Sequence, residues 1–181
     1  MRKSNLVKNV LVIDLELNQP SERIIELGYV IGNPKSEEIL TKKSIIINPQ
    51  EILSEEIINL TNISQLTVDN GKTLQFAYET MVNDVLEHNV LSVIHQWGVG
   101  DMFLLREQLQ EEAEWIFGRR FIDVKALSQA HSIIHGVNCY GGLRKMAARL
   151  GIKMSQENQH RADYDAENTF LLYSKLSKLF L

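Results

Sequence analysis

The apolar positions of this chain fall into short runs separated by polar turns, and the period of each run changes along the sequence. Val10 to Leu17 has the length and composition of a β-strand. Alternation puts Leu11, Ile13, Leu15 and Leu17 on one face and Val10, Val12, Asp14 and Glu16 on the other. A strand apolar on both faces belongs inside a covered sheet. Asn18 to Arg23 is polar, contains Pro20 and reads as a loop. Ile24 to Gly32 and Ile39 to Asn48 are two more strands, divided by the turn signal Asn33-Pro34-Lys35-Ser36. Links this short predict an antiparallel meander of three strands.

Beyond Pro49 the period lengthens. A short helix and loop are predicted from Ser54 to Leu66, with a turn at Asp69 to Lys72. Phe76, Met81, Val85 and Leu86 then recur at helical spacing up to about His88. Val90 to His95 is a fourth strand and leaves through the tight loop Trp97-Gly98-Val99-Gly100. Asp101 opens a helix with Met102, Leu105, Leu109 and Ala113 on one face. Phe121 to Val124 is a short fifth strand. Helices follow at Ala126 to His135, Leu143 to Leu150 and Ala162 to Leu179, punctuated by Gly136, Gly141-Gly142 and Gly151. A meander followed by alternating strands and helices predicts an α/β fold with one mixed sheet flanked by helices. Without repeats or linker-like tracts, residues 1–181 read as a single domain.

Composition changes this picture little. With 44% hydrophobic and 23% charged residues the chain is globular, and a net charge of -4 argues against nucleic-acid binding through an overall basic surface. It leaves open an enzyme that grips a strand end at a metal-loaded acidic site. A single cysteine, Cys139, excludes an internal disulfide and fits a reducing compartment. Arg2, Lys3 and Lys8 precede an apolar run in the manner of a secretion signal, but Asp14 and Glu16 interrupt that run and no cleavage site follows. No run approaches the roughly 18 apolar residues of a membrane helix. The expectation is a cytoplasmic protein with no membrane partner.

The polar exceptions carry the chemistry. Asp14 and Glu16 leave one strand on one face and repel each other unless cations lie between them. Asp101 begins a helix, where a carboxylate is favoured by the helix dipole and also serves as an ordinary cap. The last helix buries a stripe of Ala162, Ala166, Phe170, Tyr173, Leu176 and Phe180, with Asp165 at its edge on the line of Leu172. His160 lies five residues before Asp165, about 140° round an ideal helix. Facing the same point therefore requires His160 to sit in the preceding loop or a frayed first turn. His131-x3-His135 with Cys139 has zinc-like spacing, but Gly136 interrupts it and no fourth ligand is evident. Arg144, Lys145, Arg149 and Lys153 read as a solvated helix face.

Taken in order, Asp14-x-Glu16, Trp97-Gly98-x-x-Asp101 and His160-x4-Asp165 resemble the DEDDh (DnaQ-like) superfamily of 3′→5′ exonucleases over residues 10 to 178. Ile24-Ile25-Glu26-Leu27-Gly28, Phe121-Ile122-Asp123-Val124 and the segment from Gly142-Leu143 to Leu150-Gly151-Ile152 also look familial. Histidine at position 160 points to the histidine branch; the tyrosine branch would carry Tyr where Arg161 stands. Trp97-Gly98 looks most like the Eri/KapD-type branch. Gly100 and the pair Leu17-Asn18 depart from residues frequent among relatives.

The resemblance implies a ribonuclease H-like fold, with three antiparallel strands followed by two parallel ones. It implies two divalent cations, Mg²⁺ or Mn²⁺, held by Asp14, Glu16, Asp101 and Asp165, with His160 as general base. The implied partner is a single-stranded 3′ end, RNA ahead of DNA, met by Leu17, Asn18 and Trp97, with release of nucleoside 5′-monophosphates. Other readings are a non-catalytic binding module on the same fold and a proofreading subunit serving a polymerase.

Overall fold

A computed structural model describes residues 9–90, 92–110, 113–154 and 160–178. Arg2, Lys3, Lys8, Leu179 and Phe180 of the sequence reading lie outside them.

Five strands, β1 (Val10–Leu17), β2 (Ile24–Asn33), β3 (Glu38–Ile46), β4 (Ile94–Gln96) and β5 (Phe121–Asp123), form one sheet in the order β3-β2-β1-β4-β5. β1 and β2 are antiparallel, as are β2 and β3, while β4 joins β1 in parallel and β5 joins β4 in parallel. The mixed sheet predicted from the run lengths is thus the observed one.

Both faces of β1 are covered, as its composition requires. Leu11, Ile13 and Leu15 pack with α3 (Leu74–Glu87) and α4 (Asp101–Leu109) through Ala77, Tyr78, Met81, Met102, Leu105 and Leu109. Val10 and Val12 meet Ala166 and Phe170 of α7 (Ala162–Ser177) on the opposite face. Beside α7, the helices α5 (Val124–Ile134) and α6 (Leu143–Arg149) share a second cluster with Leu172 and Leu176. α1 (Glu55–Thr61) and α2 (Gln65–Asp69) close the sheet corner below Ile25.

The approach of α7 to β2 is set by Gly28. A Cβ there would lie 2.0 Å from the Ala162 carbonyl carbon, so the first turn of α7 rests directly on the strand backbone. Among the described residues no helix is long and apolar enough to cross a membrane.

Several boundaries differ from the sequence reading for local reasons. β4 starts at Ile94, because Val90 donates its N–H to Val85 O and completes the C-terminus of α3. Phe76 and Leu86 are exposed on α3, and Ala77 and Tyr78 take their places facing the core. Asn62, in left-handed conformation, divides the region after Ser54 into two helices, capped by Ser54 and Ser64. Ile47 leaves β3 to bridge Lys72. α4 ends at Leu109, so Ala113 packs on the core from beyond the helix. α5 begins at Val124 because Asp123 accepts the Ala126 N–H and caps it.

Candidate active site

β1 and β4 run parallel and end at one sheet edge, where loops and helix N-termini converge. Asp14 and Glu16 leave β1 there, on the face of Val10 and Val12 that meets α7. The N-terminal end of α7 brings Asp165 in its first turn and His160 immediately before its cap, Arg161. His160 is exposed and adopts a left-handed backbone, with φ 58°. It stands in the preceding turn, where the helical phase required it. The carboxylate oxygens of Glu16 and Asp165 and an imidazole nitrogen of His160 all lie within 4.8 Å of one another.

Asp101 is delivered by the loop between β4 and α4. The cap position belongs to Gly100, φ 137°, and no side chain caps the helix. Gln96 takes over that work: its Oε1 accepts the Met102 N–H at 3.0 Å, and its Nε2 donates to Gly98 O. Asp123 fixes the same loop by accepting the Gly98 N–H at 3.1 Å. The Asp101 carboxyl is thereby free of capping duty and faces the other acids.

Charge shows how close the acids are. Burial raises the Asp14 carboxyl well above the ordinary carboxylate range, and Asp101, Glu16, Asp165 and Glu26 push it further. Glu16 is pushed up to about 8 by burial and then by Glu26, Asp165 and Asp101, with Arg161 opposing. Burial lifts Asp101 to about 7. Asp165 is also raised by burial, against the His160 charge and a backbone hydrogen bond from that residue. Four carboxyls all raised above their ordinary range hold places that cations would take. Carboxylate oxygens with one imidazole suit hard divalent ions such as Mg²⁺ or Mn²⁺, which is the donor chemistry of a divalent-metal site.

The expected substrate contacts fare differently. Leu17 is half-buried and packs toward the α3 and α4 side. Trp97 is half-buried against the cluster of α5, α6 and α7. Asn18 is buried, and its amide donates to Glu51 Oε1 at 2.6 Å and Ile52 O at 3.0 Å while accepting the Ser54 N–H at 2.9 Å. Both of its N–H groups are spent on the chain itself, so its side chain pins the loop after β1 and has no donor left for a ligand.

Glu26 escaped the sequence reading as a site residue. It pairs across the strands with Glu16 and is fully buried beneath Arg161. An acid inside an apolar strand was the available signal. Elsewhere, His131 and His135 stack 4.1 Å apart beside a cavity of about 320 Å³ between α5 and α6 that contains none of the carboxyls. Gly136, φ 65°, ends that helix, as the spacing indicated.

The family model of the RNase_T exonucleases matches residues 11–173. The DNA polymerase III PolC-type protein of Staphylococcus haemolyticus is 30% identical over 181 residues, covering 92% of this chain and 11% of that protein. The Staphylococcus aureus protein of the same description gives the same identity and coverage. The chain therefore spans about a tenth of the length of these relatives. A full-length 3′-exonuclease aligns with TM-score 0.80 and 19% identity over 96% of this chain and 62% of its own. The nuclease domain of 3′hExo, a DEDDh family member bound to rAMP, gives 0.78 and 18% over 96% and 94%. Cell-death related nuclease 4 gives 0.80 and 14% over 96% and 64%. Those likenesses are of fold, and the fold is ribonuclease H-like. With the order of its acids, its sheet and its family match in agreement, this chain belongs to the RNase_T family of exonucleases.

Proposed function

We propose that the chain, as one exonuclease domain over residues 1–181, hydrolyses phosphodiester bonds at single-stranded 3′ ends, RNA ahead of DNA, and releases nucleoside 5′-monophosphates. The observation that carries this reading is the gathering of Glu16, His160 and Asp165 within 4.8 Å, beside Asp14 and Asp101. In this reading Asp14 would hold two divalent ions, Mg²⁺ or Mn²⁺, jointly with Glu16 and Asp165 on the nucleophile side and Asp101 on the leaving-group side. Such ions, when bound, lower the pKa of water and neutralise the charge that grows on the phosphate oxygens. His160 removes the proton of the attacking water; its exposure and its place in a turn let it reach a substrate. Leu17 and Trp97 contact the terminal nucleotide, and Asn18 supports them by holding the loop.

The Trp97-Gly98 pair and the fold likeness to 3′hExo, whose nuclease domain binds rAMP, favour RNA. A second reading, DNA proofreading, is favoured by the 30% identity to PolC-type DNA polymerases. The lone Cys139, a free thiol, is in keeping with a cytoplasmic setting.

Two 5′-labelled strands of equal sequence, RNA and DNA, incubated with Mg²⁺ or Mn²⁺, test the proposal. The expected result is a ladder shortening from the 3′ end, absent with EDTA, with Asp165→Ala or with a 3′-phosphate block, and stronger on RNA. His160→Ala is expected to lower turnover about 10²–10⁴-fold with unchanged circular dichroism. A ladder stronger on DNA selects the proofreading reading. No cleavage of either strand by folded protein in both metals would overturn the activity in favour of a binding module.

A further inference from the structure

Among the described residues, Glu26 is the one buried acid beside the site whose hydrogen-bond partners all lie away from the candidate metal ligands. It stands on β2 directly opposite Glu16 of β1 and is fully buried. A carboxylate in that place, beside other acids, persists only when fully paired. The Nε of Arg161 donates to both of its oxygens, at 3.1 and 3.3 Å, and Nη2 donates to Oε1 at 2.8 Å. Its Oε2 accepts the Ala162 N–H at 3.1 Å, and the Ser44 hydroxyl donates to Oε1. Glu26 therefore joins the middle of the sheet to the first turn of α7. It satisfies a helix N-terminal N–H that no local side chain caps. On the same face, the missing side chain of Gly28 lets that turn sit flush on β2.

The residue next to Arg161 is His160, in a left-handed backbone, a conformation uncommon for residues with a side chain. Arg161 follows it directly and is held by a forked, charge-assisted contact of defined geometry. Two restraints thus meet at position 160: the fork on Arg161 and the seating of Ala162.

We propose that Glu26 and Arg161 are a positioning pair, which holds His160 in its left-handed conformation and so sets the imidazole against Glu16 and Asp165. The pair touches no substrate and acts through His160. This rests on the reading of His160 as the base in nuclease turnover. Replacing Arg161 changes the handedness of the turn before α7 while leaving the five site residues in the sequence.

The test measures hydrolysis of 5′-labelled single-stranded RNA in Mn²⁺ by Glu26→Gln and Arg161→Lys, each also combined with His160→Ala. Glu26→Gln is expected to lower kcat about 10–100-fold with KM changed less than threefold. In the His160→Ala background the same substitution is expected to change kcat less than twofold. An equal loss with and without His160, or Glu26→Gln within twofold of wild type, overturns the proposal. Arg161→Lys keeps the charge but not the fork; it is expected to follow Glu26→Gln and supplies the decision if that variant does not fold. A crystal structure of either variant gives a readout independent of activity. Expected is a His160 φ that leaves the positive region; an unchanged φ overturns the pair's role. If wild type cleaves neither RNA nor DNA, the nuclease reading fails by itself, and the His160 φ still decides whether the pair sets the turn.

Discussion

The acidic cluster is expected to weaken the metal-free protein as pH rises, and Glu16 gives the magnitude. Its carboxyl moves from 4.5 to about 8 on folding. A carboxyl with a raised folded pKa binds more protons in the folded than in the unfolded state between those values. Stability is therefore greatest below pH 4.5 and declines as pH climbs toward 8. The portion lost between pH 6.5 and 8.5 is about 2 kcal/mol from Glu16 alone. For a chain of this size that corresponds to about 4–8 °C in Tm. The window lies above the titration of His95, which is lowered to about 4, so that residue contributes little there. Calorimetry of EDTA-treated protein at pH 6.5 and 8.5 measures the decline. Wild type is expected to lose at least that amount, because Asp14 and Asp101 are raised as well, and Glu16→Gln to lose clearly less and to be the more stable at pH 8.5. Saturating Mn²⁺ is expected to abolish the decline in wild type, since a ligand of the folded state stabilises by mass action. Equal declines in wild type and Glu16→Gln, or a flat metal-free wild type, would refute the electrostatic reasoning.

His95 should act in the opposite sense at acid pH. Buried against Leu11 O and the Tyr173 ring, it is lowered from 6.5 to about 4, so stability is lost as pH falls from 6.5 toward 4. Urea titrations at pH 7 and 4.5 should show a loss of about 2–3 kcal/mol in wild type from this group and a smaller one in His95→Gln; identical losses would contradict it. Gly28→Ala places a Cβ 2.0 Å from backbone that cannot yield without moving α7. Chemical denaturation should show a loss of about 3 kcal/mol or more, and a loss below about 1 kcal/mol would mean that α7 is seated otherwise.

Much of this arrangement was legible in the sequence because simple periodicity governs it. The eight residues of β1 alternate cleanly, which put Asp14 and Glu16 on one face before any partner was known. The helical angle between His160 and Asp165 required a turn at 160, and a turn is there. Other features depend on contacts that no local pattern encodes. Val90 is as apolar as a strand residue but folds back as the hydrophobic end of α3. Asn18 has the polarity of a loop residue, yet it is buried by partners 33 to 36 positions away. Gln96 and Glu26 were polar marks within apolar strands, a visible anomaly. The Glu26 donors Arg161 and Ala162 lie 135 and 136 positions along the chain, beyond any window of sequence.

The seating of α7 on β1 and β2 also governs when the acid cluster is complete. Glu16 and Asp165 are separated by roughly 150 residues, so at about 5–20 residues per second the ribosome takes on the order of 8–30 s to pass from one to the other. Throughout that interval the nascent chain carries half an acid cluster and an apolar sheet face, Val10, Val12 and Val30, awaiting Ala166 and Phe170. The assembled acid cluster arrives with α7, and the burial of that face is the same event. A chain that has not finished folding is therefore without its assembled acid cluster.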